Sequence, residues 1–423
     1  MASRSVGSAF GDVPVPPIFR LPDEILDMIL RYTEPEFFLM HYPVGCLRRP
    51  LYRIEPYWIP RCPNLRSILM VCRKLFEKVE PFVYNVIGFP SSLPPTQAVE
   101  IIETFLHPHW FRGLRVRSPK QAEVLVDSQQ LTRLVLKLSC HLDILHLDGV
   151  AAEVFLHSDF EHALAHLSTL STLELASQSQ TFDITQIVRV ISHLPQLKCL
   201  FLSLYNFLPL SNDTPSSALI LRPLMGTHPP QLVSLFIKLV INQPSQLNGL
   251  EAFLNLLTPS LRVLRLQGLL GPGLRAALRP ISSSLHALEL TKLDATLEGV
   301  INTAMDSVQT LVLGATHGFL PYFQWRRRLF KNLSTLVLQY SINLRPATIE
   351  PFINPIRLQK LILVDFSDQR ADLDPATSPV SEMLEQWCTE NSIELIVSVR
   401  MPFIETLFKQ VVEDLIYGES SPT

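Results

Sequence analysis

LRVLRL at residues 261–266 and LHALEL at residues 285–290 are two copies of one phrase, LxxLxL, separated by a return stretch of different character. Toward the N-terminus the phrase stands again as LVSLFI (232–237), LKCLFL (197–202), LSTLEL (170–175) and LDILHL (142–147). Toward the C-terminus it stands as VQTLVL (308–313), LSTLVL (333–338) and LQKLIL (358–363). The first positions of successive copies lie 23 to 35 residues apart, by subtraction of those numbers. Side chains two residues apart share one face of an extended strand, so each phrase predicts a short strand with an apolar face. Between phrases the apolar period becomes that of a helix, at Ile184, Ile187, Val188, Ile191 and Leu194, at Leu250, Phe253, Leu254 and Leu257, and at Leu297, Val300, Ile301, Ala304 and Met305. Alternation of the two periods excludes an all-helical array. A single unit buries too little surface to offset its own ordering entropy, so the units must stack.

The pattern resembles leucine-rich repeats, which implies a solenoid with strands side by side in a parallel sheet and return segments behind them. One departure is consistent: the ninth position of the fuller LxxLxLxxN form holds Gln178, Tyr205, Val240, Leu269, Leu293, Thr316, Ser341 and Phe366 in successive units, never Asn. The turn after each strand is therefore expected to be irregular. The repeats are expected over residues 131–400, with LTRLVL (131–136) as a strand joining them to a connecting and N-capping segment at residues 91–130. Residues 401–423 carry Phe403, Leu407, Phe408, Val411 and Leu415 at helical spacing and are expected to form a C-terminal capping helix and tail. The alternative for this last helix is a partner-binding motif.

In LxxLxL the leucines point into the core, so the interleaved residues point to the other face, which stacking makes a broad concave row. That row reads His146, Glu174, Phe201, Phe236, Arg265, Glu289, Val312, Val337 and Ile362. Glu174, Phe201, Phe236, Arg265 and Glu289 are the candidate target-binding residues, because an adjacent aromatic pair flanked by opposite charges is the composition that anchors protein partners. The alternative is that flanking loops or the C-terminal segment cover them, as Val312, Val337 and Ile362 already point to for part of the face.

A different signal opens the chain. In LPDEILDMIL (21–30), Pro22 sits where a helix loses no hydrogen bond, Asp23 and Glu24 complement the positive end of the dipole, and Ile25, Leu26, Ile29 and Leu30 line one face. Residues 34–64, rich in Pro, Tyr, Phe and Arg, hold no sustained period and read as an inserted loop. Helical spacing returns at Leu65, Ile68, Leu69, Cys72, Leu75, Phe76 and Val79, and Pro81 ends it. LPDEILDMILRYTEP resembles the opening of an F-box, and LRSILMVCRKLFEKVEPFVYNVI resembles its second half, including Val71-Cys72-Arg73 and the closing EPFVY. That resemblance implies a small all-α domain over residues 21–90 whose apolar face packs on an Skp-type adaptor and so links the chain to a cullin-based (SCF) ubiquitin ligase. It assigns the adaptor contact, or the core beneath it, to Leu21, Pro22, Ile25, Leu26, Ile29, Val71 and Cys72. Two features depart from the family: the linker between the halves exceeds the usual few residues, and Leu75 stands where Trp or Phe is common.

The fold class expected is thus α/β, a leucine-rich-repeat solenoid of parallel strands and returning helices preceded by a small all-α F-box domain. Composition narrows the partners. A formal charge of −3 with 18% charged residues leaves no basic footprint for nucleic acid. Apolar runs such as residues 232–241 are broken by Lys238 and fall short of the roughly 18 residues a membrane span needs. Residues 1–20 read as a disordered tail without the apolar core of a secretory signal, and six scattered cysteines with no CxxC pair fit reduced thiols in cytoplasm or nucleus. No nucleotide, hydrolase or metalloprotease motif is present, and GLLGPG (268–273) lacks the Lys and Ser/Thr of a phosphate loop. His107 and His109 have no Cys or carboxylate set beside them, and Asp365, Asp368, Asp372 and Asp374 lack cation-loop spacing. The expected function is a non-enzymatic substrate-recognition subunit without cofactor or metal. The alternative is a leucine-rich-repeat scaffold with a degenerate F-box and no ligase role.

Overall fold

The computed structural model of the chain describes residues 86–89, 113–117, 128–138, 142–149, 154, 157–208, 230–239, 250–257, 259–268, 278–291, 305–314, 330–339, 346–350, 356–364, 382–398 and, in part, 407–416. All of them belong to the compact unit that contains Val86–Thr423. Leu21, Pro22, Ile25, Leu26, Ile29, Val71, Cys72 and the inserted loop 34–64 lie outside the described residues.

Each leucine phrase forms one strand. β1 (Val86–Phe89), β2 (Gly113–Arg117), β3 (Ile144–Asp148), β4 (Thr172–Asp183), β5 (Cys199–Leu208), β6 (Ser234–Leu239), β7 (Val263–Gln267), β8 (Ala287–Thr291), β9 (Thr310–Gly314), β10 (Thr335–Gln339), β11 (Lys360–Val364) and β12 (Glu394–Ser398) make a 12-stranded sheet in which every neighbour is the next strand in sequence. All pairings are parallel, and the register aligns equivalent positions: Leu264 lies beside Leu288, Leu266 beside Leu290, and Leu311 beside Leu336. The leucines form continuous columns on one face, and Leu145, Leu173, Leu200, Leu235, Leu264, Leu288, Leu311, Leu336 and Leu361 are all 0% exposed. Each fully buried leucine is worth about 1.5–3 kcal/mol, and a neighbour on both sides is what completes its burial. This is the architecture of a leucine-rich-repeat sheet.

A backbone device fixes the start of strands β4 to β11. Ser171 and Thr172 both donate their N–H groups to the carbonyl of Asp143, Lys198 and Cys199 to that of Ser171, and Val233 and Ser234 to that of Lys198. The same double donation continues through Val233, Arg262, His286, Gln309 and Ser334 as acceptors. It satisfies backbone N–H groups where these strands begin. Side chains add to it: Thr169 Oγ1 donates to the Leu142 carbonyl at 2.9 Å, and Ser307 Oγ to that of Ser282 at 2.8 Å.

The return segments carry helices α1 (Ser128–Leu138), α2 (Ser158–Ala165), α3 (Ile184–Ser192), α4 (Leu250–Leu257), α5 (Pro346–Ile349) and α6 (Glu382–Glu390). In α3, Ile184, Ile187, Val188, Val190 and Ile191 are buried, and in α4 Phe253, Leu254 and Leu257 close the same layer. Trp387 of α6 donates its indole N–H to Glu350, just after α5, at 2.7 Å. No helix among the described residues is long and apolar enough to cross a membrane.

Three elements differ from the sequence reading. LTRLVL is helical, as part of α1. Its buried apolar residues are Leu131, Leu134 and Val135, spaced by three and four, while Arg133 and Leu136 are exposed. The sheet also begins well before residue 131, because β1 and β2 pair through backbone without any leucine triad. Among the described residues after 400, Leu407, Phe408, Val411, Val412 and Asp414 to Ile416 are helical, and the apolar ones pack on the face of the sheet opposite the leucine columns.

Candidate interaction face

On that opposite face, strand alternation presents His146, Glu174, Phe201, Phe236, Arg265, Glu289, Val312, Val337 and Ile362 in a single register row. The five candidate target-binding residues therefore stand side by side as the phrase requires. Their exposure is the correction. Glu174 and Arg265 are 3% exposed, Phe201 6%, Phe236 0% and Glu289 1%, so none of them is an open contact surface in this conformation. The physical reason lies in the flanking positions. Val263, Ala287, Val312, Val337, Ile362 and Val364 make the C-terminal part of the face apolar, and Phe408 is buried against them with Leu407, Val411, Val412, Leu415 and Ile396 around it. Farther toward the N-terminus, Val412 and Ile416 pack on Cys199, Phe201 and Phe236.

Arg265 is the centre of this arrangement. Its guanidinium carbon lies 4.9 Å from the centroid of the Phe236 ring and 4.5 Å from that of Phe408, so the cation stacks with one ring of the sheet and one ring of the C-terminal helix. Its Nε donates to Glu289 Oε2 at 2.5 Å, and Gln267 Nε2 donates to Glu289 Oε1 at 2.8 Å. A buried guanidinium without such a partner costs several kcal/mol, so Glu289 and Gln267 are what allow the cation to sit there. Phe201 and Phe236 face each other at 6.1 Å between centroids with a 57° tilt. Beside them His146 Nδ1 lies 2.8 Å from Glu174 Oε2, while His146 Nε2 has no hydrogen-bond partner among the described residues. Burial pushes the Cys199 thiol up to about 12, against a hydrogen bond from Thr172 and the charge of Lys198 that act the other way.

The face thus offers apolar contact, a caged guanidinium held by a carboxylate, and an aromatic pair. No family model and no curated protein matches the chain. Among solved structures it is similar to the leucine-rich repeat-containing protein LegL7 from Legionella pneumophila, with 18% sequence identity and a TM-score of 0.44 over 73% of this chain and 97% of that one.

Sequence reasoning missed Val412 and Ile416, which touch the aromatic pair, and Gln267, which completes the ion pair. A signal for the first two was present. Leu407, Phe408, Val411, Val412, Leu415 and Ile416 place two apolar residues in each turn, a stripe too wide for the rim of a sheet and suited to its face. Gln267 gave no signal beyond lying two residues after Arg265 on the same side of β7.

Proposed function

We propose that the protein is a receptor subunit without bond chemistry of its own, in which residues 21–85, ahead of the first strand of the sheet, dock an Skp-type adaptor and the leucine-rich repeats hold a protein target. The adaptor links the chain to a cullin, and through it to a ubiquitin-charged enzyme. Its contribution is proximity: a target held on a rigid sheet meets the reactive thioester at raised effective concentration. The observation that carries the reading is the order of modules along one chain. LPDEILDMIL and VCRKLF stand ahead of a 12-stranded sheet of side-by-side repeats, a shape suited to protein recognition.

The test is retention of a purified Skp-type adaptor by the full chain at about micromolar concentration, a range typical of specific docking. The double substitution Leu21→Ala with Leu26→Asp should abolish it. If the unmodified chain retains no adaptor, the ligase role falls, and the repeats remain an interaction scaffold.

A further inference from the structure

We infer that the outward face of β5 to β11 is a docking site for an amphipathic helix of a partner protein, and that the C-terminal helix of this chain occupies that site as an internal stand-in. The inference rests on reading the repeats as a protein-binding module, and not on the adaptor contact.

The cover and the sheet are separately satisfied. The leucine columns that hold the strands together are buried on the other face by the repeats and their return helices, so they do not need the C-terminal helix. On the covered face, the Arg265–Glu289 ion pair is made within the sheet, between neighbouring strands, so it persists when the helix departs.

Among the described residues of the helix, Phe408 is the deepest anchor: it is 2% exposed and stacks on Arg265, while Leu407, Val411, Val412, Leu415 and Ile416 are partly buried. Anchors at successive turns along one face, here Phe408, Val412 and Ile416, are the pattern by which helices lie in protein grooves. A helix of this length is marginal on its own in water, so its order comes from the sheet and its occupancy from the tether, which supplies an effective concentration of order millimolar. A partner helix presenting an aromatic residue to Arg265 and small or branched apolar residues one and two turns on would make the same contacts. Such a partner succeeds where it fits the slot better than Phe408 does.

The probe is a fluorescent synthetic peptide of residues 401–423, added to the full chain and to the full chain carrying Phe408→Asp with Val412→Asp. The doubly substituted chain should bind the peptide saturably and at least about tenfold more tightly than the unmodified chain, whose site is filled. A peptide carrying Phe408→Ala should lose about tenfold to hundredfold in affinity for that variant, the worth of one buried ring. A folded variant that fails to bind the peptide overturns the inference, as does equal binding by both chains. Hydrogen exchange on the unmodified chain provides a second reading that needs no substitution. Amides of residues 407–416 should exchange at least about tenfold faster than those of β7 to β10, by local opening. Exchange of both only through global unfolding would make the helix part of the core and defeat the proposal. Adaptor retention is a separate readout, so its failure leaves the peptide result standing.

Discussion

The two faces of the sheet are built from the same strands and obey different rules. On one face, from β3 to β11, the side chain is leucine or, at Ile237, isoleucine, each meets its like on the next strand, and all are buried. On the other, neighbouring strands present Glu, Phe, Phe, Arg, Glu and Val in succession, and burial comes from a helix far away in sequence. The first face is satisfied by repetition and the second by complementarity. Repetition demands one residue type and tolerates almost any position in the array, whereas complementarity assigns each position its own partner.

That contrast can be broken most severely from the leucine side. Leu288→Asp places a carboxylate where 0% of the side chain reaches solvent and no cation is provided, so the full chain should lose cooperative unfolding in a calorimetric or circular dichroism melt. Retention of a melting transition within a few degrees of the unmodified chain would mean that the columns are not what holds the strands. Next in size is Glu289→Ala, which leaves Arg265 buried between two rings without its carboxylate. Breaking a buried pair in this way costs about 3–5 kcal/mol. The expected readout differs in kind from the first: the melt stays cooperative, the midpoint falls, and the C-terminal helix loses hydrogen-exchange protection before the strands do. Equal loss across sheet and helix would merge the two faces into one core.

The smallest effect is a dependence on pH at Cys199. Its thiol is raised to about 12 in the folded chain from an ordinary value of 9.0, so the unfolded chain releases this proton first as pH rises. The contribution to stability is whole below about pH 9 and declines as pH climbs from there toward 12. Cys199→Ser should flatten that decline in denaturant titrations. At neutral pH the Cys199 thiol should react with an alkylating reagent far more slowly than a free thiol, and more quickly once the helix has been released by Glu289→Ala. An unchanged rate in that variant would show that the helix is not its cover.

The unequal visibility of the two faces in the sequence follows from the same contrast. A column of identical residues announces itself, and every LxxLxL from Leu142 to Leu363 marks a strand in the correct register. β12 was harder to see, because Ile393, Leu395 and Val397 keep alternation but replace the leucine triad; β2 likewise alternates at Leu114 and Val116 without the triad, and β1 keeps neither. LTRLVL misled because Leu131, Leu134 and Val135 satisfy the helical spacing as well as the phrase. On the second face the residue identities were legible and their fate was not. An aromatic pair beside an arginine is equally suited to a partner and to a helix from the same chain, and single-chain patterning holds no information on which one arrives. The residues that resemble an F-box run from Leu21 to Ile87; Val86 and Ile87 belong to β1, and the others lie outside the described residues, so their reading stands on the two matching halves alone.

The doubled N–H donation at the feet of β4 to β11 has a bearing on how such a chain changes over generations. Because the acceptor is a main-chain carbonyl, as with Asp143, Ser171 and Lys198, the peg asks nothing of the side chain that occupies its place. Substitutions at these feet are screened only for backbone shape. The arcs between them are equally free in length. Leu197 and Leu232 lie 35 residues apart and Leu285 and Val308 only 23, by subtraction, yet both intervals deliver the next strand into the same register. Insertions can therefore accumulate behind the sheet without disturbing its order, and an ancestral array of this kind can be lengthened or trimmed one arc at a time.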